Sequence, residues 1–362
     1  MTLQSAVIGA GTVSQVHLSG LDDCPRTELV AVCDIDEERA TEVARDYGID
    51  AYTDVDELLA AADLDWVHVC TSVQTHLPLA RKAIEAGVPV LIEKPVTETI
   101  EEAEELAETA RQHGVRVAVV HQHLYDPAMR KALAQIRDGD LGAVRGVDVV
   151  FTGLTAPDEK HRGSWAFDLP GGEFEEGFPH PLYLALGVGG YPVDGDSVQA
   201  VTTLVDDYGG EFAYDNVQVQ YASEGDALCS VKMLSGTVPQ RVVHVHGEEK
   251  SLTVDLTSQT LVELPRNYRG SSINRALNNV DRVVDRIGGT VENATTVAKG
   301  QFDAGWEHQR TTKPHYYLID AEAEAIADGA GQSESLARAV WATRITETIR
   351  DTTREERPAA VQ

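Results

Sequence analysis

A glycine-rich turn near the start of the chain has the spacing of a phosphate-binding loop. The string Val-Ile-Gly-Ala-Gly-Thr-Val-Ser begins at Val7, directly after a predicted strand and directly before a predicted helix. Gly9 permits the tight turn, Gly11 lets a pyrophosphate approach the backbone, and the helix N-terminus supplies unpaired N–H groups. The loop therefore predicts a dinucleotide site, although Ser14 stands where the third glycine is usual. The other predicted loop contacts are Thr12 and Val13.

A carboxylate follows the second predicted strand, at Asp34, 25 residues after Gly9. Such a carboxylate can accept hydrogen bonds from a ribose diol, and it would repel the 2′-phosphate of NADP. Its neighbour Ile35 supplies no compensating cation, and Arg39 lies one helical turn into the next helix. We therefore expect NAD rather than NADP, bound in part by Asp34 and Ile35. In the alternative, Asp34 merely caps the helix that begins near Asp36.

Three further strings accompany the glycine loop. They are Val67-His-Val-Cys-Thr-Ser72 with His76 after it, Ala86-Gly-Val-Pro-Val-Leu-Ile-Glu-Lys-Pro95, and Gly171-Gly172 followed by Glu176-x-x-x-His180. Together these motifs resemble the Gfo/Idh/MocA family, named for glucose-fructose oxidoreductase and inositol dehydrogenase, over nearly the whole chain. The second string is similar to the E-K-P signature of that family. The third is similar to its G-G-x-x-x-D-x-x-x-H pattern, with Glu176 in place of the aspartate.

The resemblance implies a catalytic lysine at Lys94, which follows a predicted parallel strand. Open α/β sheets bind ligands at the carboxyl ends of such strands. The ammonium group of Lys94 can hydrogen-bond a substrate hydroxyl and lower the energetic cost of alkoxide character during hydride transfer. In this family the Lys-Pro bond is often cis, which would aim Lys94 at the nicotinamide. The alternative is a solvated surface lysine.

The resemblance also implies that His180 is the general base or acid, since imidazole titrates near neutrality. Placed i and i+4 on one helix, Glu176 and His180 would share a face, so that the carboxylate orients the ring. Glutamate adds a methylene to the usual aspartate, which changes the geometry of the pair. A buried structural histidine is the alternative reading of His180. A zinc site with His161 or His76 lacks compact ligand spacing, and we expect no metal.

Other contacts are carried over from the family with less support from the residues themselves. Predicted cofactor contacts are Thr71, Ser72, His76, Glu93, Lys94 and Gln122, the last where the family commonly has Asn. His123 lies where the family often has Arg. Predicted substrate contacts, besides Lys94 and His180, are Arg162, Trp165 and Tyr183, with His161 beside them. Because these residues only flank the Glu176 segment, they could equally well be polar side chains that face solvent and bind nothing.

Short β-branched runs alternate with helical periods through the first third of the chain, which predicts a parallel, doubly wound sheet. The predicted strands are Ser5–Ile8, Glu28–Cys33, Trp66–Cys70, Val88–Ile92 and Arg116–Val120. The predicted helices are Val13–Leu21, Glu37–Tyr47, Val55–Ala62, Leu77–Ala86 and Ile100–His113. None of the strands alternates with period two, as expected where helices cover both faces. We expect residues 1–122 to form a dinucleotide-binding Rossmann domain.

After Asp126-Pro127 the pattern changes to successive strands with short turns, which predicts an α+β domain with an open, mostly antiparallel sheet over residues 123–362. The predicted elements are a helix at Ala128–Asp138, strands at Val144–Thr152, Ser197–Asp206, Asn216–Ala222, Ala227–Leu234, Arg241–Gly247 and Ser251–Asp255, and a last helix at Ser335–Asp351. A helical insertion at about residues 265–314 interrupts this pattern.

The charge of the chain is unusual, whereas its hydrophobic content of 42% is ordinary for a globular protein. Its 362 residues fit two domains, and they carry a formal net charge of −29, with only eight lysines among the 30 basic residues. A carboxylate-rich surface of this kind favours a high-salt cytoplasm, where repulsion is screened. It disfavours nucleic acid or an anionic membrane as a partner.

The four cysteines show no paired spacing and are expected to be reduced. No apolar run is long enough to span a bilayer.

The insertion at residues 265–314 runs against the overall charge, since eight basic minus five acidic residues give +3. Apolar residues recur in it at helical spacing, at Ile273, Leu277, Val280, Val284 and Ile287. Three interpretations stay open. The helix packs on the second domain or a neighbouring subunit, or its arginines receive an anionic substrate group, or it lies on a membrane surface.

These observations predict an NAD-dependent oxidoreductase that transfers hydride between nicotinamide and a sugar, polyol or sugar derivative. A redox step on a nucleotide-linked sugar or sugar acid is the closest alternative. A non-catalytic dinucleotide-binding regulator is the alternative from another class, although a regulator has no need of Lys94 and His180. The resemblance further implies a homodimer or homotetramer.

Overall fold

The computed structural model describes residues 2–154, 163–206, 208–266, 272–300 and 305–356. The chain forms two compact units. The first consists of residues 1–122 with 305–343, and the second of residues 123–304 with 344–362.

The first unit contains a six-stranded, all-parallel sheet with the order β3-β2-β1-β4-β5-β6, which is the strand order of a dinucleotide-binding Rossmann domain. Its strands are β1 Leu3–Ile8, β2 Thr27–Cys33, β3 Asp50–Tyr52, β4 Trp66–Val69, β5 Val90–Ile92 and β6 Val117–Val119. Its first five helices are α1 Ser14–Asp23, α2 Glu37–Tyr47, α3 Val55–Ala61, α4 His76–Glu85 and α5 Ile100–His113. The five predicted strands and five predicted helices are confirmed, while the short edge strand β3 went unpredicted.

Local sequence explains where these helices begin and end. Asp36 caps α2 by accepting the N–H groups of two first-turn residues, and the helix ends at Gly48 in the left-handed conformation. Helix α5 begins with a capping box between Thr99 and Glu102 and ends at Gly114. These signals stand in the sequence itself, and the predicted bounds of both helices agree with the structure.

The second unit is built on a seven-stranded sheet with the order β13-β12-β11-β7-β10-β9-β8. Its strands are β7 Val144–Leu154, β8 Gln199–Thr203, β9 Asn216–Ala222, β10 Leu228–Ser235, β11 Gln240–Gly247, β12 Lys250–Asp255 and β13 Thr260–Pro265. Its helices are α6 Pro127–Arg137, α7 Pro179–Gly189 and α8 Ser272–Gly300. Strands β7 and β10 pair in parallel and the remaining pairs are antiparallel, so the sheet is mixed. The parallel pair is possible because a long crossover through α7, β8 and β9 separates the two strands.

Three helices complete the described chain: α9 Trp306–Thr312, α10 Pro314–Ala327 and α11 Glu334–Glu356. Residues 305–343 group with the first unit, whereas the sequence had assigned them to the second domain. The buried side chain of Ile319 on α10 lies against Gly20 of α1, where a Cβ on the glycine would come within 2.5 Å of it. The Arg116 guanidinium also pairs with Glu322 at 2.8 Å. Among the described residues, none of the helices combines the length and the apolarity needed to span a membrane.

Candidate functional site

Most of the predicted cofactor residues follow neighbouring strands at the carboxyl edge of the first sheet. Backbone hydrogen bonds join the strand extensions side by side: Cys70 N–H donates to the Ile8 carbonyl at 2.8 Å, and Glu93 N–H donates to the Val69 carbonyl at 3.0 Å. In an open parallel sheet this edge is where ligands bind. The residues of this edge are Gly9, Gly11, Thr12, Val13, Asp34, Ile35, Thr71, Ser72, Glu93, Lys94 and Gln122.

The geometry of the glycine loop explains its sequence. Gly9 has φ +103°, and a Cβ there would lie 2.5 Å from the Cys70 carbonyl oxygen, so only glycine fits. A Cβ on Gly11 would project into open space, as a site for close phosphate approach requires. The buried Ser14 hydroxyl donates to the Gly11 carbonyl at 2.6 Å, so the serine in the place of the third glycine holds the loop closed.

Asp34 links the second strand to this loop. Its Oδ2 accepts the Ala10 N–H at 2.7 Å, and its Oδ1 accepts the Asp36 N–H at 2.9 Å. The α2 cap is Asp36, not Asp34, which removes the alternative reading of Asp34. Arg39 lies closer than its position in the sequence suggests, with its Nη2 3.5 Å from Asp34 and its Nε 2.9 Å from Asp36. Beside them the side chain of Ile35 is 93% exposed.

Lys94 is preceded by a buried carboxylate and followed by a cis bond to Pro95. The Glu93 Oε2 accepts the Lys94 backbone N–H at 3.0 Å, and its Oε1 lies 3.0 Å from His17 Nε2. Burial opposes ionisation of this carboxyl. The hydrogen bond from His17 and the positive charge of His17, His315 and Lys94 outweigh burial and lower the pKa of Glu93 to about 2. Glu93 is therefore an anion that holds the backbone of Lys94.

Behind Glu93 the network continues through two buried histidines. His17 Nδ1 lies 2.9 Å from His68 Nδ1, and burial, followed by the neighbouring His17, holds the pKa of His68 well below its usual range. Ligand-capable atoms of His17, Glu93 and His315 lie within 4.8 Å of one another, in donor types that zinc also uses. His17 lies 3.0 Å from Glu93 and 2.9 Å from His68, so these three residues form a hydrogen-bonded network. The sequence analysis missed this group of residues, because its members lie up to 298 positions apart. The one signal in the sequence is a histidine inside an apolar run, as at His68.

His76 joins two loops of this edge. Its ring is buried, with Nε2 3.1 Å from the Thr71 carbonyl and Nδ1 2.9 Å from the Pro95 carbonyl. Burial lowers the pKa of His76 despite these bonds. That Glu93 and His76 contact cofactor stays a prediction. Their hydrogen bonds within the unit hold the Thr71 and Lys94 segments in place.

In the second unit His180 belongs to a cluster of rings. Its Nδ1 lies 3.1 Å from the hydroxyl of Tyr183, which is fully buried and accepts the His123 N–H at 3.1 Å. His123 Nδ1 in turn lies 2.7 Å from Asp126 Oδ2. Tyr183, predicted as a substrate contact, thus connects two histidines and orients the His180 ring.

The predicted Glu176–His180 helix is wrong. Glu176 lies in a 3-10 helix at Glu173–Gly177, whereas His180 lies in α7, which begins at Pro179. Proline at the first position of a helix has no N–H to continue the preceding turn, so the two residues do not occupy one helical face. The two residues are only four positions apart in the sequence, and Glu176 is buried.

The neighbouring Glu175, which the sequence analysis missed, is a buried carboxylate that binds an arginine and a tyrosine. The Arg350 guanidinium binds it in bidentate fashion, with Nε at 2.9 Å and Nη2 at 2.7 Å, and the Tyr214 hydroxyl donates to it as well. A Cβ on Gly171 would lie 2.3 Å from Glu175 Oε1, which explains a glycine at this position.

The remaining predicted contacts lie in short elements. Trp165 is half-buried in a 3-10 helix at Ser164–Asp168, and Gln122 begins another at Gln122–Tyr125. Arg162 and His161 lie outside the described residues.

Comparison with known proteins agrees with the two-part fold. Residues 3–121 match an oxidoreductase family with an NAD-binding Rossmann fold, and residues 129–253 match the GFO/IDH/MocA C-terminal domain. The chain is 27% identical to inositol 2-dehydrogenase of Rhizobium meliloti over 73% of this chain and 79% of that protein. It is 32% identical to D-apiose dehydrogenase of Paraburkholderia graminis over 38% of this chain, a match that spans just 37% of that relative.

A solved structure shares the fold over almost the whole length. The WlbA dehydrogenase from Bordetella pertussis, in complex with NADH and UDP-GlcNAcA, has a TM-score of 0.75 at 20% identity. The alignment covers 98% of this chain and 96% of that one.

Proposed function

Because the chain belongs to the GFO/IDH/MocA family of NAD-binding oxidoreductases, we propose that it is an NAD-dependent dehydrogenase or reductase of a polyol, sugar or sugar derivative. The observation that carries the proposal is the position of Lys94. Lys94 follows β5 at the carboxyl edge of the Rossmann sheet. The adjacent strand is β4, which is followed by Thr71, and β4 in turn pairs with β1, which is followed by the glycine loop. When bound, NAD accepts or returns a hydride at C4 of its nicotinamide.

The role proposed for Lys94 is stabilisation of the substrate oxygen. Negative charge develops on that oxygen as the hydroxyl proton leaves during oxidation, or as hydride adds to the carbonyl carbon during reduction, and an ammonium nearby lowers the barrier. The anionic Glu93 accepts the Lys94 backbone N–H at 3.0 Å, and the charge of Lys94 in turn favours the anion. Glu93, His17 and His76 are positioning residues in this proposal, because Glu93 and His76 bind the backbone of a loop and His17 binds Glu93.

His180 is the proposed proton acceptor for alcohol oxidation and the donor for the reverse reaction. A proton leaves the substrate hydroxyl for the ring as the hydride leaves carbon, so that charge balances. The Tyr183 hydroxyl at Nδ1 fixes the plane of the ring. Glu176 stays a proposed partner of the site, and Trp165 and Arg162 stay proposed substrate contacts.

Cofactor binding is assigned to the edge residues described above. Gly9, Gly11, Thr12 and Val13 receive the pyrophosphate, Asp34 the adenosine ribose, and the exposed Ile35 the adenine face. Thr71, Ser72 and Gln122 lie nearer the nicotinamide end in this proposal. We expect NAD over NADP because the charge of Arg39 is balanced by two carboxylates, Asp34 and Asp36.

Two other functions remain as alternatives. The UDP-GlcNAcA bound to WlbA favours a nucleotide-linked sugar acid, but two arginines suggested for an anionic group are engaged: Arg266 pairs with Glu249 at 2.6 Å and Arg310 with Asp320 at 3.3 Å. A non-catalytic regulator is disfavoured by Lys94 and His180 together. The deciding experiment follows NADH absorbance in about 2 M KCl across inositols, aldoses, sugar acids and UDP-sugars, with Lys94→Met as control. Turnover absent in the control supports the proposal, while NAD binding without turnover of any compound supports the regulator.

The setting proposed for the enzyme follows from its charge. A chain with a net charge of −29 fits a cytoplasm of high salt, and we propose a halophilic, cytoplasmic homo-oligomer. Its first domain boundary is proposed between residues 122 and 123. Its melting temperature should rise from dilute buffer to molar KCl. A melting temperature independent of salt contradicts the halophile assignment.

A further inference from the structure

Helix α8 turns its polar side toward its own unit and its apolar side outward. Asp285 Oδ2 accepts the Glu263 N–H of β13 at 3.1 Å, and Asn293 donates to the Ser258 carbonyl at 3.1 Å. Gly289, between them, lies against Thr260. These polar contacts fix which face of the helix meets the sheet.

The opposite face carries a stripe of exposed aliphatic side chains. Val280, Val284, Ile287 and Val291 are 56%, 59%, 59% and 58% exposed. At 100° per residue this stripe lies roughly 170° around the helix from the face formed by Asp285, Gly289 and Asn293. We call these four residues the seam. Single exposed apolar residues are ordinary on a surface, but an aligned row marks an interaction site.

The spacing of the seam identifies the kind of partner. Its steps are four, three and four residues, and the sequence continues them to Ile273 and Leu277 on one side and to Ala294 and Ala298 on the other. This is an unbroken heptad repeat of a and d positions over residues 273–298. A strict seven-residue repeat keeps one stripe facing a second helix and is the pattern of a two-helix coiled coil. A flat partner or a lipid surface requires no such strict repeat.

Charge identifies which helix that is. Within 272–300, four basic residues face three acidic ones, so the helix carries +1 in a chain of −29. Two copies of the chain repel each other electrostatically over most of their acidic surface. Helix α8 is a face at which two copies can approach without this repulsion. No seam position is charged. We infer that α8 pairs with α8 of a second copy of this chain, seam to seam, as a coiled coil that is independent of the proposed catalytic chemistry.

The test compares matched substitutions by light scattering and sedimentation at micromolar protein in about 1 M KCl. The Val284→Asp/Ile287→Asp variant places charge in the seam, and Val238→Asp places it at a valine that is 76% exposed in the same unit. We expect the seam variant to lower the mass of the assembly by a factor of two and Val238→Asp to leave it unchanged. Equal masses for wild type and seam variant, or a monomeric wild type, overturn the inference.

Crosslinking checks the pairing in the folded protein without destabilising charge. The four native cysteines are all buried, so a bismaleimide reads a single introduced thiol. Cysteines placed in turn at the four seam positions are compared with Arg282→Cys, which lies on the far side of the helix. We expect dimer crosslinks at seam positions and not at position 282; a parallel pair crosslinks at all four, an antiparallel pair only near its midpoint. Crosslinking at position 282 as strong as at the seam, or at no seam position, contradicts the pairing.

Discussion

Two buried glutamates, one in each unit, are neutralised in different ways. Glu175 receives a bidentate guanidinium from Arg350 and the Tyr214 hydroxyl. Glu93 receives an imidazole, His17, and passes its second oxygen to the Lys94 backbone. The first carboxylate meets a guanidinium, which carries a fixed charge, while the second meets an imidazole, which can hold one proton or two.

We call the Glu175–Arg350 pair the anchor, because it joins two elements of the fold. We call the Glu93 network the support, because it holds the backbone of Lys94. Burial opposes the charge of Arg350, but the hydrogen bond and charge of Glu175 outweigh burial and raise the pKa of Arg350. That pair ties α11 to the 3-10 helix that precedes His180, and it serves the fold. Glu93 stands directly before the proposed catalytic lysine, and its network serves the position of that lysine.

The largest effect is expected from breaking the anchor. Arg350→Met should lower the free energy of unfolding by about 3–5 kcal/mol, since Glu175 is left as an unpaired buried charge. Denaturant unfolding measures the change. The double variant Glu175→Gln/Arg350→Met should recover most of it, and a single variant as stable as wild type contradicts the anchor.

The support is tested by acid. Because the pKa of Glu93 is lowered from 4.5 to about 2 in the folded chain, its contribution is complete above the unfolded pKa and is lost as pH falls through 4.5 toward 2. That loss amounts to about 3 kcal/mol. Glu93→Gln should be less stable at pH 7 but should lack this part of the decline, as unfolding at a series of pH values will show. An unchanged pH slope in the variant rules out the buried anion.

A smaller change is expected at the other end of the cofactor site. Asp34→Ser should lower the preference for NAD over NADP by roughly 10-fold to 100-fold, equivalent to about 1–3 kcal/mol of like-charge repulsion. Values of kcat/KM with both cofactors measure it, and Asp36→Ser, which retains a capping oxygen, is the matched control. Equal effects of the two substitutions show that Arg39, not Asp34, sets the preference.

What the sequence could predict depends on how local each feature is. The glycine loop, the capped helices and the parallel strands other than β3 in the first unit follow from signals within a few residues, and they appear as predicted. The Glu175–Arg350 pair joins residues 175 positions apart, and no periodicity reports it. The parallel pairing of β7 with β10 and the placement of α10 beside α1 are likewise tertiary choices. The Glu176–His180 face was wrong because Pro179 starts a new helix between them.

The most direct test of the central claim is the kinetics of Lys94→Met with the substrate found in the screen. If Lys94 stabilises charge that develops on the substrate oxygen, kcat should fall by roughly 100-fold or more while the NAD dissociation constant changes little. Single-turnover absorbance at about 340 nm, the wavelength at which NADH absorbs, measures the rate of hydride transfer separately from cofactor binding. Retained turnover with only a raised KM would contradict the account, because Lys94 would then merely position substrate.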